Sequence, residues 1–149
     1  MIRPAIPDDL RETAALRHAL WPDGSLEEHT RELTAILAGR PPGILPLVVL
    51  VAEEDARLVG FVEVGLRSYA DGCDRDRPVG YLEGWYVIPA WRRRNIGARL
   101  VAAAEAWSRS QGCKELASDT WADNLDSQRA HEKLGFEVVD RCVNYRKPL

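Results

Sequence analysis

The sequence predicts an α/β protein built on a mixed sheet, and three observations carry that reading. Apolar, β-branched runs of strand length recur, as at residues 47–52 and 79–88. Other stretches repeat their apolar residues at helical spacing, as in Leu10, Thr13, Leu16 and Leu20. Glycine and proline punctuate the boundaries, so the elements follow in the order β-α-α-β-β-β-α-β-α-β-β.

Residues 2–6 form a short first strand. Pro7-Asp8 then starts a helix with Asp8 as N-cap, and Trp21-Pro22-Asp23-Gly24 breaks it. Ser25-Leu26-Glu27-Glu28 has the form of a capping box. Leu26, Thr30, Leu33 and Leu37 give the next helix its less polar face, and residues 39–43, with Pro41 and Pro42, end it. Residues 47–52 and 58–66 are the arms of a hairpin around a polar turn. After a loop at 67–78 comes a strand at 79–88. Simple alternation there places Tyr81, Glu83, Trp85 and Val87 on one face and Leu82, Tyr86 and Ile88 on the other. Pro89 stops this strand. A helix at 96–111 has Ile96, Leu100, Ala104 and Trp107 as its buried stripe and Gly112 just past its end. A strand at 115–120 follows, then a helix opened by Asn124 and running to Leu134 before Gly135. Two short strands, 136–139 and 141–145, complete the order.

Length and composition bound the function. The 149 residues suit one domain, 1–149, with a core large enough to fold alone. The longest apolar run, 46–52, fits a buried strand and is far too short to span a bilayer. Met1-Ile2-Arg3-Pro4 lacks the apolar core of a signal peptide, so a cytoplasmic location is expected. The formal net charge of −3 argues against a nucleic-acid coat and is compatible with a cationic small substrate. Cys73, Cys113 and Cys142 are odd in number and form no Cys-x-x-Cys, so they indicate reduced thiols rather than a disulfide framework or a zinc site.

The most informative stretch is the strand, basic turn and helix from Tyr81 to Gln111. A helix N-terminus leaves amides without partners and carries positive partial charge, and a preceding turn can aim more amides at the same point. Arg92, Arg93 and Arg94 precede this one. The pattern fits a phosphate or pyrophosphate site, and equally a solvated basic turn that caps a helix. It is neither a P-loop nor a dinucleotide fingerprint.

Arg92-x-x-Asn95-x-Gly97 resembles the coenzyme A turn of the GCN5-related acetyltransferase superfamily, Gln/Arg-x-x-Gly-x-Gly/Ala, with Asn95 in place of the first glycine. Asparagine tolerates a left-handed backbone better than other non-glycine residues. Asn124-x-x-Ser127…His131-x-x-Leu134-Gly135-Phe136 resembles the superfamily's later segment. Trp21-Pro22, Tyr69-Ala70-Asp71-Gly72-Cys73-Asp74, Tyr81-Leu82-Glu83-Gly84, Ala117-Ser118-Asp119-Thr120 and Asp140-Arg141…Tyr145-Arg146-Lys147 are similar to one subgroup, the aminoglycoside 6′-N-acetyltransferases. The similarity runs from Trp21 to Lys147.

The resemblance implies a mixed, mostly antiparallel sheet of six to seven strands flanked by four helices. It implies acetyl-CoA as co-substrate, an aminoglycoside as acceptor and pairing as a homodimer. Trp21, Tyr69, Glu83, Asp119 and Asp140 would line the aminoglycoside pocket. The backbone of Trp85, Tyr86 and Val87 would pair with the pantetheine arm like an added strand. Arg93, Arg94, Asn95, Ile96, Gly97 and Ala98 would hold the pyrophosphate, and Asn124 would touch the coenzyme.

The residue chemistry agrees, because carboxylates complement the ammonium groups of an aminoglycoside. Glu83 sits in an otherwise apolar and aromatic strand, where a carboxylate needs a partner or a task. Asp123 and Asp126 read instead as acids of a helix N-terminus, and His131 as a packing residue. The expected mechanism is direct transfer. The 6′-amine yields a proton to Glu83 or Asp119, attacks the thioester, and the Val87 amide stabilises the oxyanion. No metal takes part. The superfamily often places a tyrosine near His131 as acid toward the thiolate. Here Tyr145, water or an unassisted departure would serve. Alternatives are the same chemistry on another small amine or a protein N-terminus, and a non-catalytic acetyl-CoA-binding module.

Overall fold

A computed structural model describes residues 1–149. Nine regular elements follow in chain order: β1 (Ile2–Pro4), α1 (Leu10–Leu20), α2 (Leu26–Leu37), β2 (Leu47–Glu54), β3 (Arg57–Arg67), β4 (Val79–Val87), α3 (Ile96–Ser110), β5 (Leu116–Ser118) and α4 (Leu125–Lys133). The strands form one sheet in sequential order, antiparallel from β1 to β4, with β5 parallel to β4. No helix is long and apolar enough to cross a membrane.

Five strands replace the expected six to seven. Residues 136–145 form no strand, because no edge of this chain pairs with them. Val138, Val139, Val143 and Tyr145 stand exposed there. The four helices are as expected.

The two faces of the sheet are covered by different helices. Leu50, Ala52, Val62, Val64 and Leu82 pack under Ile96, Leu100, Val101 and Ala104 of α3. Val49, Val51 and Phe61 pack under Ala14 and Leu16 of α1 and Leu33 and Ile36 of α2. The buried faces are rotated from the expected stripes: Thr13, Ala14, Leu16 and Arg17 are buried in α1, and His29, Leu33 and Ile36 in α2.

Local signals mark most boundaries. Ser25 accepts from the Glu28 amide at 3.1 Å and Glu28 accepts from the Ser25 amide at 2.8 Å, completing the capping box. Gly112 and Gly135 follow α3 and α4 with φ of 83° and 91°, as helix-ending glycines do. Asp8 caps nothing. It lies in a 3₁₀ turn, Pro7–Asp9, while Asp9 accepts from the Ile6 amide and pairs with Arg3.

The register in β4 positions the site. Glu63 of β3 faces Gly84, but Val64 faces Leu82, so Glu83 is an extra residue, a β-bulge. The bulge reverses the alternation. Gly80 and Leu82 face α3 before it, and Trp85 and Val87 do so after it. Gly84 and Tyr86 face α1 and α2. The expected common face for Tyr81, Glu83, Trp85 and Val87 therefore does not exist.

Candidate active site

Residues of α1, α2, β2, β3, β4 and the segment 41–46 line an open cleft of about 830 Å³ on the α1/α2 side of the sheet. Trp21, Tyr69 and Glu83 are among its walls. Trp21 ends α1 and lies edge-on to Phe61 and stacked near His29, whose Nε2 bonds the Trp21 carbonyl at 2.8 Å. Gly84 makes this possible, since a β-carbon there would sit 2.5 Å from the Trp21 ring. The Tyr69 hydroxyl donates to Asp71.

The bulge turns Glu83 toward the cleft, where Arg67 donates to both its oxygens at 2.8 and 2.7 Å. The Arg67 guanidinium also lies 3.5 Å over the Tyr81 ring. Burial, and after it the nearby charge of Asp119, push the Tyr81 phenol up to about 12. Glu83, Asp119, Arg67 and Tyr81 thus form one charged group. Asp119 is exposed just beyond β5. Asp140 is not part of this group. It lies in the C-terminal segment, accepts from the Arg141 amide at 2.7 Å and does not line the cleft.

The other half of the site is an open strand edge. β5 pairs only with Gly80, Tyr81 and Leu82, so β4 from Glu83 to Val87 has no partner on that side. The Ile88 amide bonds the Val59 carbonyl at 2.9 Å. Antiparallel alternation then directs the Tyr86 backbone groups at β3 and those of Trp85 and Val87 at the gap. The Val87 carbonyl accepts from Arg92 Nε at 2.9 Å, and its amide faces the same gap.

The basic turn adjoins this edge. Arg93 and Asn95 are left-handed, with φ of 60° and 63°, so Asn95 adopts the conformation a glycine would supply. Asn95 makes no side-chain cap, and the Arg99 amide is the first bonded back, to the Asn95 carbonyl at 3.1 Å. The amides of Ile96, Gly97 and Ala98 are left facing the helix entrance, beside Arg93 and Arg94. Gly97 passes close to the Trp85 indole. Asn124 caps α4 by accepting from the Ser127 amide at 3.1 Å. His131 is a packing residue: its ring sits between Trp85 and Phe136 and bonds Ser118 Oγ at 2.8 Å. Burial raises the Cys73 and Cys113 thiols, the wrong direction for a nucleophile.

The model of the Acetyltransferase (GNAT) family matches residues 10–136. The chain belongs to the GNAT family. Among its GNAT relatives, the aminoglycoside N(6′)-acetyltransferase type 1 of Klebsiella aerogenes is 40% identical over 149 residues, covering 100% of this chain and 97% of the relative. That of Serratia marcescens is 46% identical over 143 residues, covering 95% and 94%. The structure of AAC(6′)-Iy in complex with the bisubstrate analogue CoA-S-monomethyl-acetylneamine aligns at TM-score 0.88 and 35% identity, over 100% of this chain and 98% of that one.

Four charged residues that line this cleft were not singled out in the sequence: Arg17, Glu32, Glu63 and Arg67. Arg17 is buried and reaches Glu32 at 3.2 Å, the His29 carbonyl at 3.2 Å and Glu63 at 3.2 Å. The available signal was Glu63, a lone charge between Val62 and Val64 in the apolar run of β3; Arg17 shares α1 with Arg11, Glu12 and His18 and carried no such signal.

Proposed function

We propose that this chain transfers the acetyl group of acetyl-CoA to the 6′-amine of an aminoglycoside by direct attack, through one domain spanning residues 1–149. The observation that carries the reading is the pairing of an acid-lined cleft with an open strand edge on the same strand, β4. The bisubstrate analogue bound by AAC(6′)-Iy joins those two ligand classes in one molecule.

Acetyl-CoA lays its pantetheine arm along the Trp85 and Val87 backbone as an added strand. Its pyrophosphate rests on the amides of Ile96, Gly97 and Ala98, flanked by Arg93, Arg94 and Asn95. Asn124 borders the coenzyme. The aminoglycoside enters the cleft against Trp21 and Tyr69, and its ammonium groups meet Glu83 and Asp119. Glu83 gives both oxygens to Arg67 but keeps further lone pairs for substrate. Asp119 has no arginine bound to it, so it takes the proton from the 6′-ammonium, directly or through water. The freed amine attacks the thioester carbonyl, the Val87 amide holds the oxyanion, and the C–S bond breaks as the new amide nitrogen loses its second proton, which passes through water to the departing thiolate to give CoA thiol. No step needs a metal. Conferring resistance follows from capping the amine.

The enzyme works in the cytoplasm, where acetyl-CoA is supplied. It pairs as a homodimer through the exposed apolar segment around Val138, Val139, Val143 and Tyr145, which brings Asp140 into an assembled site. Analytical ultracentrifugation of the full chain against a chain ending at residue 135 tests the pairing.

The reaction is tested by CoA thiol release with a panel of aminoglycosides, including a pair that differs only in a 6′-amine versus a 6′-hydroxyl. Turnover confined to the 6′-amine members is the expected result. Turnover only on other amines would assign a different acceptor, and coenzyme binding without any turnover would make this a binding module.

A further inference from the structure

The charges around the cleft do not balance. Glu32, Glu63 and Glu83 line it together with Arg17 and Arg67. Arg67 is committed to Glu83 through two hydrogen bonds. Arg17 hydrogen-bonds Glu32 and the His29 carbonyl, and its Nε approaches Glu63 Oε2 at 3.2 Å. That approach is badly aligned, for both Arg17 Nε and Glu63 Oε2 are buried with no hydrogen-bond partner. Two guanidinium groups therefore face three carboxylates. Glu63, whose side chain is 7% exposed, meets Arg17 only in this ion contact and receives no aligned donor at Oε2; it directly faces Gly84, beside Glu83. A buried carboxylate oxygen without a donor is costly unless a ligand supplies one.

We propose that Glu63, beside Arg17 at the base of the cleft, is a second anionic subsite that takes an ammonium group of the aminoglycoside other than the one acetylated. This rests on the acetyltransferase reading above and adds a residue to it. The chemical class is set by the site: a compact cation with several N–H donors fits an orphaned carboxylate beside a committed guanidinium. The position excludes Glu63 from the acetylated amine, because β4 separates it from the open edge where the thioester would lie.

The subsite is also proton-linked. The charged and titratable groups that line the cleft with Glu63 are Arg17 of α1, His29 and Glu32 of α2, Arg67 of β3, Glu83 of β4, and Tyr69. Burial raises the Glu63 carboxyl to about 7, Arg17 opposes this, and Glu83 and Glu32 add to it. An arriving ammonium favours the ionised form, so binding at this subsite strengthens as pH rises through neutrality.

The test is steady-state kinetics with kanamycin A and acetyl-CoA on wild type, Glu63→Gln and Glu63→Asp, from pH 6 to 8.5. Glutamine has the shape of the protonated acid. Glu63→Gln should raise KM for kanamycin about tenfold to a hundredfold at pH 8, the size of a charge-assisted hydrogen bond, with kcat and KM for acetyl-CoA within about twofold. The wild-type advantage in kcat/KM should shrink toward one at pH 6. Glu63→Asp, which keeps the charge, should retain that pH dependence and carries the test if the glutamine variant does not fold. A wild-type to variant ratio that is flat with pH, or an equal rise in KM for both substrates, would overturn the subsite and leave Glu63 a structural partner of Arg17. Absence of wild-type turnover on every aminoglycoside would instead remove the acetyltransferase reading and this one with it.

Discussion

Gly84→Ala is the sharpest single perturbation of this site. A β-carbon at Gly84 would sit 2.5 Å from Trp21 Cη2, 2.6 Å from Cζ2 and 3.2 Å from Leu20 Cδ2. Carbon atoms pack at about 3.5–4.0 Å, so the ring must retreat by roughly 1 Å. Its retreat is blocked by Phe61 at 6.1 Å between ring centroids, by His29 at 6.2 Å, and by the Arg17 guanidinium 5.2 Å over the ring. Overpacking of this kind costs about 1–3 kcal/mol. Alanine in a strand recovers about 0.5–1 kcal/mol of the glycine's backbone entropy, leaving a net loss of up to about 2.5 kcal/mol. At this chain length that lowers Tm by up to about 10 °C. The displaced indole is a wall of the cleft, so KM for an aminoglycoside should rise severalfold while KM for acetyl-CoA stays put. Differential scanning fluorimetry and two substrate titrations measure both effects. Adding Trp21→Phe, which removes the crowding atoms, should restore Tm in a double-mutant cycle. A Gly84→Ala protein with unchanged Tm and unchanged KM would refute the contact.

Other perturbations separate the remaining roles. Glu83→Gln or Asp119→Asn should lower kcat at least tenfold with acetyl-CoA binding intact by calorimetry; unchanged turnover in both would sink the carboxylate roles. Asn95→Gly should be nearly neutral, whereas Asn95→Val, a branched residue at φ 63°, should cost about 1–2 kcal/mol and raise KM for acetyl-CoA. Glu63 also predicts a pH dependence of stability. Its carboxyl, ordinarily at 4.5, rises to about 7 in the fold, chiefly by burial, so the folded state holds the proton more tightly than the unfolded chain. The contribution is therefore full below about pH 4.5 and lost as pH rises through about 7, at most about 3 kcal/mol. Urea denaturation should show a flatter stability profile between pH 5 and 8 in Glu63→Gln, and an unchanged slope would count against it.

The order of helices and strands through α4 was legible because each element carries its own local signal. Ser25 and Glu28 announce α2, and Gly112 and Gly135 close α3 and α4 with the backbone only glycine adopts freely. Asn95 was readable as a glycine substitute for the same reason. Features that depend on a partner strand were not legible. A bulge exists only in the pairing of Glu63, Val64, Leu82 and Gly84, so alternation along β4 alone could not reveal it. The final strands failed similarly: residues 136–145 have strand composition, but no strand of the sheet pairs with them. Trp21, Tyr69 and Glu83 were named by resemblance, and the structure brings these three side by side along one cleft. Arg67 and Glu63 were missed because their meaning lies in contacts made across the sheet and with α1.

The bulge also explains how one strand can border both an acid-lined cleft and an open backbone edge. With unbroken alternation Glu83 and Trp85 would share a face. In one phase Glu83 would lie under α3 among Val64, Leu100 and Val101, where an ionised carboxylate has no partner. In the other phase Trp85 and Val87 would leave that apolar layer for the cleft, and the indole would fill space the substrate needs. The extra residue avoids both outcomes. Glu83 turns to Arg67 on the cleft side, while Trp85 and Val87 stay packed toward α3. The backbone of Trp85 and Val87 still reaches the gap, because β5 ends at Ser118 and its pairing stops at Leu82. Glu83 and the Val87 amide are then four residues apart, roughly 13 Å along the strand. In the proposed reaction a polycationic acceptor bridges this separation, with one ammonium on Glu83 and another amine at the Val87 amide.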